Sequence, residues 1–135
     1  GLLELHSSDR EELDAAGDAI LRGIGASATD QLVPQVLFED VIENLADQHA
    51  IILNRSRSAS MLIPGQSLLL CEMTPALFAC AAANEAERAA PGAVLNDVQM
   101  MGVSGRVFMS GDVEELRKAQ AAIKETLGAV RGRSR

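Results

Sequence analysis

Two cysteines and two histidines are the residues best able to do covalent or acid–base chemistry in this 135-residue chain. A thiol enzyme needs a thiolate, a base beside it and donors aimed at a developing oxyanion. Cys71 falls in the apolar run Ser67–Met73 and Cys80 in the alanine-dense stretch after Thr74-Pro75, so both read as buried, inert thiols. Neither has a cysteine or histidine at metal-ligand spacing, and two cysteines are too few for a disulfide framework, which fits a reducing setting. His49 lies on an apolar stripe and reads as a core or interface residue, whereas His6 ends a short first strand with no evident partner. The paired carboxylates Glu11-Glu12 and Glu114-Glu115 fall in first helical turns, where they complement the helix dipole. Ser110-Gly111-Asp112 starts a helix without the lysine that a phosphate loop supplies. Arg55 and Arg57 could bind an anion, though an exposed loop over Asn54–Ser60 with solvated charges is the plainer reading. No catalytic group, metal or cofactor is therefore expected.

The elements that would hold such residues belong to one compact domain or slightly more, with 47% hydrophobic residues. Three phenylalanines are the only aromatics, so Leu, Val, Ile, Met and many alanines must fill the core, which favours close backbone approach. A net charge of −7 argues against nucleic acid as a partner. The basic run at 131–135 reads as a solvated tail. No apolar run approaches the ~20 residues of a membrane span, so no membrane partner is expected.

The chain also repeats itself. Aligned with one extra residue in the first copy, Gly1 meets Gly105, Asp9 meets Asp112, Glu11-Glu12-Leu13 meets Glu114-Glu115-Leu116, and Ala16, Ala19 and Ile20 meet Ala119, Ala122 and Ile123. Each copy predicts a short strand, a polar turn, an Asp N-cap with a Glu three residues on as in a capping box, and a helix. The apolar stripes are Leu13, Ala16, Ile20 and Ile24 in one copy, Leu116, Ala119, Ile123 and Leu127 in the other. The copies stand about 100 residues apart, the length of a small domain, so 1–28 is expected to be the last strand and helix of a preceding repeat. Residues 29–128 would form a complete domain and 129–135 the tail.

Within that domain a helix is expected over Pro34–Leu53, with Phe38, Val41, Ile42, Leu45, His49 and Ile52 on one face. Ser67–Met73 reads as a buried strand, Thr74-Pro75 as a cap and first-turn proline, and the helix it opens runs to Ala90 before Pro91-Gly92. Strands follow at Ala93–Met101 and Gly105–Met109, with a loop at Gly102–Ser104 and then the last helix. The order predicts an α+β domain, an antiparallel sheet with helices on one face.

From Ala79 onward the sequence resembles the shell-protein domain of bacterial microcompartments, the family that includes carboxysome and metabolosome shells. The resemblance rests on Glu85–Pro91 at the end of the alanine helix, Met101–Val107 across the loop, and Gly111-Asp112-Val113 at the last helix, and it covers roughly Ser67–Ile123. With Pro34–Leu53 placed ahead of this core, the chain is similar to circularly permuted, tandem-domain shell proteins, ferredoxin-like domains whose trimers mimic hexamers. The resemblance implies a non-enzymatic tile that self-associates into a trimer or hexamer and packs laterally with other shell proteins in the bacterial cytoplasm. Small metabolites would pass a central pore lined by Met101, Gly102, Val103, Ser104 and Gly105. Arg88 and Pro91 would lie at the tile edge, where the family's usual residues are lysine and asparagine. The rival expectation is an oligomeric regulatory module that binds a small anion at subunit clefts.

Overall fold

A computed structural model describes residues 2–55, 57 and 60–134. Gly1 of the repeat, Ser56, Ser58 and Ala59 of the polar loop and Arg135 of the tail lie outside the described residues. The chain divides into two units, one of 1–33 with 131–135, the other of 34–130.

The larger unit is built on four antiparallel strands in the order β1-β2-β4-β3. These are β1 (Gln35–Ile42), β2 (Ser67–Thr74), β3 (Val94–Met101) and β4 (Ser104–Gly111). The two central strands are the most apolar, as strands covered on both faces require. The first half of the expected Pro34–Leu53 helix is thus a strand. Phe38, Val41 and Ile42 suit a helical stripe, but β-branched and aromatic residues also suit a strand beside an apolar neighbour. Pairing decides: Val41 stands opposite Leu69 on one face, and Ile42 opposite Leu68 on the other. Asn44, at φ 53°, turns the chain, and α2 keeps only Asp47–Asn54.

One sheet face carries α3 (Phe78–Ala89) and α4 (Val113–Gly128). Ala79, Ala82, Ala83 and Ala86 of α3 are buried against Leu69, Cys71, Met73, Val107 and Met109, with Leu116, Ala119, Ile123 and Leu127 of α4 closing the core. The α4 stripe is the one its spacing predicts. Short alanine side chains bring α3 close to both the sheet and α4, so bulk comes from Leu, Ile and Met instead of aromatics. The opposite sheet face has a smaller core of Leu45, Ala50, Leu62, Leu68 and Phe108. Helices therefore lie on both faces, not one, because α2 crosses to cover the end of the sheet that Leu68 and Phe108 leave apolar. His49, expected on the inner stripe, is exposed, since Ala50 and Leu53 take the inward positions of so short a helix.

The smaller unit holds α1 (Arg10–Gly23) and a single 3₁₀ turn at Ala28–Asp30. Asp9 caps α1 by accepting from the Glu11 N–H at 2.8 Å. Glu12 does not complete a capping box; it accepts from the Ser7 hydroxyl at 2.9 Å. Leu13, Ala16 and Ile20 are half-buried, Ile24 is exposed, and no residue of α1 is buried. The expected first strand is absent: 2–7 form no ladder, and Leu2, Leu3 and Leu5 are exposed. A strand needs a paired neighbour to satisfy its backbone, and this segment has none.

Candidate functional site

Thr74, Glu72 and the β3–β4 hairpin converge at one end of the sheet. β3 and β4 pair from Val94↔Ser110 to Met101↔Ser104, so Met101, Gly102, Val103 and Ser104 form the tip. Gly102 has φ +64°, where an L side chain is strained, and space around it is open. Met101 and Val103 are 61% and 71% exposed, so the tip presents apolar side chains as well as backbone. Two bonds seat it. The Thr74 hydroxyl donates to the Val103 carbonyl at 2.9 Å, and the Ser104 hydroxyl donates to Glu72 at 2.7 Å. Thr74 is thus the end of β2 and a clamp on the hairpin, not a helix cap; α3 starts only at Phe78, without a side-chain cap. Arg106 lies beside Glu72 with Nε 3.3 Å from Oε2. The Ser104 hydroxyl first, and Arg106 second, hold the Glu72 carboxyl below the ordinary range.

Gly105 has a different role from its neighbours. It is buried under the start of α3, where an added Cβ would stand 2.3 Å from the Ala76 carbonyl oxygen and 2.6 Å from the Ala79 Cβ. It lets β4 and α3 touch.

At the far end of α3, Arg88 is exposed and loosely paired with Glu85 at 3.4 Å, and Pro91 is exposed in the turn to β3. Between α3 and α4 runs an open groove of about 780 Å³ lined by Ala81, Glu85, Arg88, Ala122 and Glu125 among others. Asp112 occupies the N-cap position of α4 without a side-chain cap bond. Glu115, expected to complete a capping box there, instead accepts from the Gly92 N–H at 3.1 Å and pairs with Lys118, tying α4 to the turn beyond Arg88.

The thiols and the loop arginines resolve differently from expectation. Cys71 is buried, and that burial first, with the Glu39 carboxylate second, pushes its thiol up to about 12. Cys80 is exposed, contrary to expectation, and its thiol lies 3.8 Å from the sulfur of Met100, near the end of β3. Arg57 is not a solvated loop charge: its side chain is 4% exposed, lies 3.6 Å from Asp97, and stacks 4.6 Å above the Phe108 ring. No periodicity could have foretold this, since Arg57 sits between polar residues and meets Phe108 only through the fold. Among the described residues no group of three His, Cys, Asp or Glu is placed to hold a metal, and no helix is long and apolar enough to cross a membrane.

No family model matches the sequence. The chain is 36% identical over 132 residues to the carboxysome shell protein CcmP of Synechococcus elongatus, covering 95% of this chain and 62% of that protein. Among solved structures it superposes with a TM-score of 0.93 on a double-ringed trimeric shell protein from the RMM microcompartment, 54% identical, covering 96% of this chain and 64% of the other. A fused permuted hexameric shell protein from the same microcompartment gives a TM-score of 0.87 at 35% identity, covering 94% of this chain and 62% of the other. The four-stranded sheet with its alanine helix and clamped hairpin is therefore a bacterial microcompartment shell domain. The chain is thus similar in sequence and fold to permuted and trimeric shell proteins. It spans under two thirds of the length of each of these proteins.

Proposed function

We propose that the protein is a structural tile of a bacterial microcompartment shell, assembling into a trimeric or hexamer-like ring that packs laterally against other shell proteins. The observation that carries this is the 54% identity and 0.93 TM-score with a trimeric shell protein across nearly the whole chain. The hairpin tip would face the ring axis, with Met101, Gly102 and Val103 around an opening for small metabolites and Ser104 behind them holding the tip to Glu72. The exposed tip, held to β2 at Val103 and Ser104, supports that placement, because a pore rim must be both solvent-facing and fixed. Arg88 and Pro91 would meet the neighbouring tile beside the alanine-lined groove, where short side chains allow close approach. Residues 2–28 would be the closing strand and helix of a preceding repeat domain. The exposed leucines at 2, 3 and 5 and the unburied stripe of α1 support this, since both lack a sheet to cover them.

The test is imaging and mass measurement of the intact protein. Rings that extend into sheets are expected, with Arg88→Ala keeping the rings and losing the sheets. Monomers at every concentration would refute the tile, and sheets unaffected by Arg88→Ala would refute the edge.

A further inference from the structure

We propose that Met101 and Val103 make the opening an apolar constriction, which admits small uncharged molecules and holds back ions of either sign. The inference rests on the reading above that the hairpin tips surround the ring axis, and adds the class of molecule that passes them.

The tip offers a passing molecule almost no hydrogen bond from its side chains. Met101 and Val103 flank Gly102 and are 61% and 71% exposed. A thioether is a weak acceptor and valine has no polar side-chain atom. None of residues 101–104 is ionisable. The polar groups close by are engaged within the protein. The Thr74 hydroxyl donates to the Val103 carbonyl at 2.9 Å, and the Ser104 hydroxyl donates to Glu72 at 2.7 Å. Glu72 and Arg106 hold each other as a neutral pair, with Arg106 Nε 3.3 Å from one carboxylate oxygen and Nη2 3.4 Å from the other. Arg106 also stands two residues behind Ser104, about 7 Å along β4 at the usual rise per residue. A turn in bulk water is ordinarily built of Gly, Asn, Asp or Ser. Met and Val at this turn are accounted for by the company of their own copies around an axis.

An ion entering such an opening must shed part of its hydration shell and meets no opposite charge or aligned donor in exchange. An uncharged molecule with one or two polar groups loses far less, and its carbon portion gains by contact with the rim. Water is itself poorly held by an apolar ring, so the constriction closes to ions while remaining a geometric hole. The net charge of −7 acts differently, since it favours cations and opposes anions. An apolar rim slows both.

The experiment measures how fast thiol reagents reach the rim in the intact protein. In Cys80→Ser/Met101→Cys the accessible thiol is at the tip, because Cys71 is buried, and Val103 still stands beside it. Three methanethiosulfonates of similar size carry a neutral hydroxyethyl, an anionic sulfonatoethyl or a cationic trimethylammonioethyl group. Each forms a mixed disulfide with the thiolate and releases methanesulfinate. Dividing every rate by that of the urea-unfolded chain removes the reagents' intrinsic differences. In the ring, both charged reagents are expected to react at least about ten-fold more slowly than the neutral one. Adding Val103→Ser should bring the three rates within about three-fold of one another, with the ring mass and melting temperature unchanged because Val103 is exposed. Equal rates before that substitution overturn the proposal, as do ratios that Val103→Ser leaves unmoved. Slowing of one sign alone, which marks a charged opening, or of all three reagents alike, which marks size, overturns it too. The axial placement is read separately on the same variant: a short bismaleimide should join the tips of two protomers. Rings that it does not cross-link refute the axial tip, and a protein monomeric by light scattering refutes the ring, so neither failure is confused with that of the apolar rim.

Discussion

Gly105→Ala should destabilise the protein much more than Gly102→Ala, although both glycines belong to one hairpin. At Gly105 the added Cβ meets the Ala76 carbonyl oxygen at 2.3 Å and the Ala79 Cβ at 2.6 Å. A carbon–oxygen contact relaxes only at about 3.3 Å, so roughly 1 Å of room must be opened. The obstructing oxygen belongs to backbone and Ala79 is fully buried, so no flexible side chain can give way. Overpacking of this kind costs about 1–3 kcal/mol, and a backbone obstacle puts Gly105 at the upper end. At about 3–4 °C per kcal/mol for a domain of this size, the melting temperature should fall by about 10 °C. At Gly102 nothing stands within 4 Å of the new Cβ, and the cost is that of a left-handed residue, about 1 kcal/mol, most of which Gly102→Asn should recover. Thermal and urea unfolding followed by circular dichroism separate the cases. If Gly105→Ala melts within about 2 °C of the parent, or no lower than Gly102→Ala, the close passage of β4 under α3 is wrong.

Leu116→Ala, which removes a fully buried side chain between α4 and the sheet, should cost about 2–5 kcal/mol in urea titrations; a loss under 1 kcal/mol would contradict the assigned core. At pH 8 a small thiol reagent should modify Cys80 promptly and Cys71 only after unfolding, because Cys80 is exposed and the Cys71 thiol is held up to about 12; equal rates in the folded state would contradict this. Glu72 titrates below its unfolded value of about 4.3, so its contribution is complete above that pH and disappears as pH falls through the lower folded value. Glu72→Gln should therefore be less stable than the parent at pH 6, with a gap that closes in acid, and a gap constant from pH 7 to pH 3 would show that the Ser104 and Arg106 contacts do not act on its ionisation.

Helices α1 and α4 and the hairpin were legible because their signals are local. The α4 stripe, the Pro91-Gly92 stop and the small-residue turn before Ser104 each state a backbone preference within a few residues. β1 was misread because its apolar spacing satisfies two periods at once, and only the pairing with β2 separates them. The position of α2 on the second face was hidden for a related reason: it depends on Leu68 and Phe108 being left uncovered, which is a property of the finished sheet. At the site, the tip residues could be named from sequence, yet the division between Gly102, which bends the chain, and Gly105, which admits a helix, could not. Glycine looks the same in both roles, and the difference resides in Ala76 and Ala79 across the core. Arg57 and Thr74 were invisible for the same cause, since their partners Phe108 and Val103 are distant in sequence.

The path into and out of the larger unit closes like a clasp. The Val33 N–H donates to the Arg133 carbonyl at 3.0 Å, and the Arg133 N–H donates to the Gln31 carbonyl at 2.9 Å, so the strands of chain leading to Pro34 and away from Val130 run side by side. A fold whose two ends meet has no preferred starting point: opening it at another loop and joining the old ends changes the order of reading while leaving every packed contact in place. Such a unit can be spliced into a longer polypeptide by one pair of adjacent junctions, adding a whole module without stretching what flanks it. Gene rearrangement can then reshuffle where such a unit presents its connections, at almost no cost to its packing.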